Sequence, residues 1–179
     1  MTRLFTAIDS PAAIQDRLHR LGRQVHGARA VPSHQLHLTL SFIGEIEDHR
    51  LQPIQQALAA IAAPPFAIVL QGIGCFPPRG PARIIWAGVQ PQPLLHRLHS
   101  LMKTALVPCG IVSEERSYSP HITIARLKDR GSPFDRSFLY HHAAFTTEDI
   151  PVPEFVLYSS RLTAQGAIHT VVRRYPLTT

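Results

Sequence analysis

His37-Leu38-Thr39-Leu40 and His121-Ile122-Thr123-Ile124 are one pattern written twice, 84 residues apart (121 − 37). In each copy an aliphatic residue alternates with a polar one, the period of a β-strand with one face in a core. Leu36, Leu38 and Leu40, like Ile122 and Ile124, are the inward set. His and Thr then share the other face, so each copy presents an imidazole beside a hydroxyl. A lone His-x-Thr carries little. Two of them at matching places in a repeated unit predict two strands that face each other across a cleft.

The repeat extends outward from these strands. Arg3 to Ile8 reads as a strand, followed by a helix opened at Pro11 with Ser10 as N-cap, an apolar face of Ile14, Leu18, Leu21 and Val25, and an end at Gly27. After the first His-Thr strand come a helix with Leu51, Ile54, Leu58 and Ile61 on one side, and a strand from Phe66 to Ile73. The order then restarts 80 residues on: Arg83 to Ala87 as a strand, Pro91 or Pro93 opening a helix, and Leu94, Leu98, Leu101 and Ala105 as its apolar face. A fourth helix is expected from Ser132-Pro133 to about Ala144. Strands around Phe155–Leu162 and Ile168–Leu177, joined by a turn at Ala164-Gln165-Gly166, complete the chain. The expected fold is therefore α+β and bilobed. Residues 1–179 form one domain with an internal repeat of approximately 3–74 and 83–162 and a last strand at 168–177. Each lobe is an antiparallel-rich sheet with helices on its outer face, around a central cleft.

Composition narrows the function. The chain has 179 residues, with 45% hydrophobic and 17% charged, which suits a packed domain and not a disordered tail. No apolar run is long enough to span a bilayer, and the N-terminus lacks the order of a signal peptide, so a cytoplasmic location is expected. Cys75 and Cys109 have no metal-binding spacing and are expected as free thiols. A formal net charge of +6 favours an anionic partner. The cations are scattered, which argues against a surface that coats nucleic acid in general.

Two imidazoles facing one phosphorus suit phosphodiester cleavage. In-line displacement sets the attacking and leaving oxygens on opposite sides of phosphorus, so one neutral His can take a proton while a protonated one gives a proton. Thr39 and Thr123 can donate to the non-bridging oxygens. Neither motif contains Asp or Glu, and strict alternation puts His34 and His37 on opposite faces, so no metal site and no cofactor are expected. Ser41 shares the His37 face, but no Gly-x-Ser-x-Gly elbow supports a nucleophile.

His37-Leu-Thr-Leu-Ser-Phe-Ile-Gly-Glu45, Arg83-Ile-Ile-Trp86-Ala-Gly and Ser119-Pro-His-Ile-Thr-Ile-Ala-Arg126 together resemble the two-histidine (2H) phosphoesterases. The similarity is greatest to the LigT-like RNA 2′,3′-cyclic phosphodiesterases, also called 2′-5′ RNA ligases, and covers nearly the whole chain. The resemblance implies hydrolysis of RNA 2′,3′-cyclic phosphate ends to 2′-phosphomonoesters, with reversible 2′-5′ joining of RNA ends. It implies His37 as proton donor and His121 as proton acceptor, with Thr39 and Thr123 on the phosphate. Arg126 at a strand end is a candidate phosphate grip, Phe42 at the equivalent place a candidate base platform, and Tyr118 a candidate cleft wall. Substrates in the same chemical class include small cyclic nucleotides such as ADP-ribose 1″,2″-cyclic phosphate; a non-catalytic binder of RNA ends is the contrasting reading. A monomer is the expected state.

Overall fold

Residues 1–112, 117–127, 134–164 and 166–178 are described by a computed structural model. The first strand, β1 (Thr2–Asp9), buries Leu4, Phe5, Ala7 and Ile8 and is flanked on both sides. One neighbour is β3 (His37–Ile46); the other is β9 (Glu154–Thr163), which in turn pairs with β10 (Gly166–Pro176). A second sheet runs β2 (Ala28–Ala30), β7 (His121–Leu127), β6 (Ile84–Val89), β5 (Leu70–Phe76). Among the described residues every pairing is antiparallel and there are four α-helices, so the fold is α+β as expected.

The two sheets do not each take one half of the sequence. Phe66 to Ile73, expected as one strand, divides at Val69 into β4 (Phe66–Ile68) and β5, because the chain changes sheets there. β4 pairs with β8 (Ile150–Val152), with Phe66 opposite Val152, Ala67 opposite Pro151 and Ile68 opposite Ile150. Residues 67 and 151 are themselves 84 apart, so this register is symmetric about the Ala67–Pro151 pair. From that ribbon the chain crosses over twice. β5 leaves the first half to become the third strand beside β7 and β6, and β9 leaves the second half to become the third strand beside β3 and β1.

The helices cross over as well. α1 (Ala12–Arg23) packs on β2 and β7, whereas α3 (Pro93–Leu106) packs against β3 and β4, with α2 (Leu51–Ala59) beside it; α4 spans Ser137–His141. Met102 of α3 lies under the first sheet, where its sulfur accepts from the buried Thr6 hydroxyl at 2.7 Å. The buried face of α3 is Leu95, Leu98, Met102 and Leu106, not the expected Leu94, Leu98, Leu101 and Ala105. The helix begins at Pro93, capped by the Gln92 side chain accepting from the Leu94 N–H, one residue away from the 80-residue register. In α1 the N-cap is Pro11, not Ser10, whose hydroxyl is buried without a hydrogen-bond partner. That helix ends at Arg23, and Gly27 supplies a left-handed turn (φ 73°) beyond it. α2 stops at Ala59, so Ile61 covers the core from outside the helix. The expected opening of the fourth helix at Ser132-Pro133 lies outside the described residues, as does Gln165 of the last turn. Cys75 is buried and Cys109 half-buried, neither in a disulfide. No helix among the described residues is long and apolar enough to cross a membrane.

Gly22 lets α1 sit directly on β7: a Cβ at this position would overlap the Ile124 carbonyl oxygen. That carbonyl is held by the Val31 N–H at 2.9 Å and cannot easily move. Gly22→Ala is therefore expected to destabilise the fold by about 1–3 kcal/mol despite alanine's better helix propensity, read as a lower urea midpoint with an unchanged slope.

Candidate active site

His37 and His121 are each the first residue of their strand, β3 and β7, and these two strands lie against each other. The local geometry repeats. His121 Nδ1 is 2.8 Å from the Ser119 carbonyl, two residues upstream, and the Gln35 backbone, also two residues upstream, favours the protonated form of the His37 ring. A carbonyl only accepts, so Nδ1 of His121 carries the proton and Nε2 is left to work. Thr39 and Thr123 are half-buried on the same faces as the imidazoles, with Leu38, Leu40, Ile122 and Ile124 in the core between them.

Strict alternation fails immediately afterwards, and at the same place in both strands. In β3 the register against β1 skips Leu40; in β7 the register against β6 skips Ile124. These are β-bulges, which let two successive residues point inward and turn the following side chain over. Leu40 and Ser41 are both buried, as are Ile124 and Ala125. Ser41 is thus removed from the His37 face. Phe42 and Arg126, which alternation would have sent inward, emerge instead; Phe42 is 75% exposed and meets Phe5 at 6.4 Å between ring centroids. Arg126 is near enough to His37 and His169 for its charge to bear on both.

Tyr118 is half-buried, stacked on His99 at 4.0 Å between centroids, and its hydroxyl donates to the Thr39 carbonyl at 3.0 Å. It fastens the approach to the second motif onto the backbone of the first. Burial pushes its ionisation upward, so the hydroxyl stays a donor.

Sequence reasoning missed the surroundings of His37. Asp9, which ends β1, pairs with His37 across the ladder, accepts from the Tyr158 hydroxyl at 2.7 Å and is bridged by Arg174 at 3.3 Å. His169 of β10 stands edge-on to His37 at 5.4 Å, and Phe5 lies 4.9 Å from both rings. His34 is not on the strand at all; it sits in a 3₁₀ turn (Ser33–Gln35) and lines the same cavity of about 110 Å³ as Asp9, His37, Tyr158 and His169. The inference that His34 and His37 face opposite ways therefore does not hold. Even so, no cluster of three metal-ligating side chains with suitable geometry occurs among the described residues. The only local signal for Asp9 is its place at a strand end; His169 is one of eleven histidines, and nothing beside it marks it out. The rings against His121 are Phe76 at 5.0 Å and Trp86 at 6.1 Å, with Trp86 lying over Gly74.

Burial, followed by the neighbouring His169, lowers His37 to about 4, while Asp9 pulls the other way. A ring that stays neutral in the folded protein down to about pH 4 but charges near ~6.5 once unfolded binds protons preferentially in the unfolded state. Stability is expected to fall as pH drops from about 6.5 towards 4, by up to about 3 kcal/mol. His37→Gln should flatten that part of the curve in denaturant titrations at pH 7 and pH 4.5.

A family model for LigT-like phosphoesterases matches residues 8–86 and 88–169. An RNA 2′,3′-cyclic phosphodiesterase of Archaeoglobus fulgidus is 30% identical over 174 residues, covering 96% of this chain and 98% of the relative. One of Methanocaldococcus jannaschii is 31% identical over 178 residues, covering 97% and 99%. Among solved structures, E. coli LigT complexed with 3′-AMP superposes with a TM-score of 0.81 at 26% identity, covering 99% of both chains. Paired His-Thr strands, bulged alike and brought together by crossed connections, thus occur in a chain that belongs to the LigT-like phosphoesterase family.

Proposed function

We propose that this chain hydrolyses RNA ends carrying a 2′,3′-cyclic phosphate to 2′-phosphomonoesters, with His37 as general acid and His121 as general base and no metal ion. The observation that carries this is the equivalence of the two imidazoles. Each opens its strand, each ring is followed by a threonine on the same face and then by a bulge, and the two strands lie together. The names of the relatives supply the substrate class.

In this scheme His121 Nε2 takes a proton from water as the water oxygen attacks phosphorus. The bond from phosphorus to O3′ breaks, and His37 delivers a proton to the departing O3′, leaving a monoester on O2′. Thr39 and Thr123 donate to the non-bridging oxygens, and Arg126 offsets the charge that builds there. Phe42, turned outward by its bulge, offers a face on which the terminal base stacks. Tyr118 serves the site through the Thr39 carbonyl. His37 is neutral in the free protein at pH 7, so it gains its proton together with the substrate: an anion against the ring reverses the penalty that burial, His169 and Arg126 impose. With a 5′-hydroxyl in place of water, the same groups join two RNA ends through a 2′-5′ bond.

An oligonucleotide ending in a 2′,3′-cyclic phosphate, followed by phosphorus NMR, tests the reaction; a 2′-monoester is the expected product, formed equally well in excess EDTA. His37→Ala and His121→Ala should each cost at least about 10²–10⁴-fold in kcat, with RNA-end affinity kept; a protein that only binds would show no turnover to lose. The order of roles is read with a 3′-deoxynucleoside 2′-(p-nitrophenyl phosphate), in which nitrophenolate takes the place of O3′ and needs no proton. There His37→Ala should retain most of the activity and His121→Ala should not.

A further inference from the structure

The reaction scheme makes no use of the imidazole closest to His37. We propose that His169 is a positioning residue of the site: it holds the His37 ring edge-on from the C-terminal hairpin and couples proton uptake by that ring to the arrival of the anionic substrate. The inference rests on the functional reading above and names a residue outside both His-Thr motifs.

The geometry is that of a built contact. The His169 and His37 ring planes meet at 82° with centroids 5.4 Å apart, and Phe5 fixes both, 74° to His169 and 30° to His37. The hairpin is drawn to this position by Gln35, whose side-chain amide donates to the Ala167 carbonyl at 2.8 Å, two residues before His169 and two residues before His37 in the other direction. His169 Nδ1 is buried and has no hydrogen-bond partner among the described residues, so the ring is kept there without any local bond of its own to explain it.

Charge supplies the coupling. The groups around the pair are His34 from the 3₁₀ turn, Asp9 from β1, Tyr158 from β9, Arg126 from β7, and Arg174 of β10 with Glu154 behind it. Among the described residues the carboxylate facing His37 is Asp9, already engaged by Tyr158 and Arg174. Two imidazoles and a guanidinium thus share a partly buried space, where gaining a proton on one makes a second proton costly. A phosphate entering beside Arg126 removes that cost for both rings. Burial, followed by His34 and Arg126, lowers His169 as well, so both rings resist a proton in the free protein.

His169→Phe keeps the ring and its contacts with Phe5 and His37 while removing the titrating nitrogen; His169→Gln removes it with a smaller, polar group. Carbon-13-labelled histidine is titrated in the full-length protein, with His37 assigned as the resonance lost in His37→Gln. In both His169 variants the His37 midpoint should rise by about half a unit or more, and the acidic limb of kcat/KM on the cyclic-phosphate oligonucleotide should move with it, the basic limb staying in place. Wild-type protein should take up more protons on binding inorganic phosphate at pH 7 than either variant. An unchanged His37 midpoint in the folded variants, or an acidic limb that does not move, would overturn the proposal. Failure of the wild-type protein to open the cyclic phosphate would instead defeat the functional reading, and the titration and proton-uptake results would stand apart from it.

Discussion

The antiparallel pairing of Phe66–Ile68 with Ile150–Val152 constrains everything that follows it. Each half of the chain reaches this ribbon and then gives its next strand to the other sheet. The lobes are consequently sewn together by two crossing segments, and they cannot part without breaking ladder hydrogen bonds in both sheets. α1 and α3 reinforce the stitch, since each covers the sheet that its own half does not mainly build. A reaction that needs two proton carriers on opposite sides of one phosphorus depends on their separation being fixed beforehand. Under the proposed mechanism that separation is held by the backbone pairing that sets β3 against β7, not by a flexible contact between lobes.

Within this frame, the bulges at Leu40 and Ile124 decide what the two strands present. An unbroken strand would offer His37, Thr39 and Ser41 in one row and bury Phe42. One extra residue in the ladder buries Ser41 and brings an aromatic out after the first motif and a guanidinium out after the second. The same backbone irregularity, used twice, yields a face for stacking on one side and a charge on the other. The residue that occupies the position sets its chemistry; the bulge determines only that it is seen.

Much of the fold is legible in the sequence, because hydrophobic period and Pro or Gly punctuation are local properties. β1, α1, the His-Thr strands, α2 and the last two strands all fall near where alternation and helical spacing put them. What is not legible is pairing. Nothing in Phe66 to Ile73 announces that the chain changes sheets at Val69, since both pieces are apolar and extended. α3 starts at Pro93 behind a Gln92 cap, one residue off the 80-residue repeat, and around the shared Leu98 its buried face is Leu95, Met102 and Leu106 in place of Leu94, Leu101 and Ala105. The bulges are equally silent: Leu40-Ser41 and Ile124-Ala125 read as ordinary strand until a partner with one residue fewer lies beside them. The environment of His37 was hidden for the same reason, for Asp9, His34, Tyr158 and His169 reach it from four separate segments.

That environment is also where the two halves of the site stop being alike. The first sheet continues past β9 into β10, whereas in the second sheet the extra strand, β2, lies on the far side of β7 and β5 is the edge. β10 brings His169 against His37, and with Arg174 it engages Asp9. His121 has Phe76 and Trp86 against it instead. Two identical motifs could not by themselves distinguish an acid from a base, because identical imidazoles in identical surroundings would hold their protons equally. Dividing the labour requires surroundings that differ. The unsymmetrical strand supplies such a difference in surroundings, and it does so on one side only, at His37.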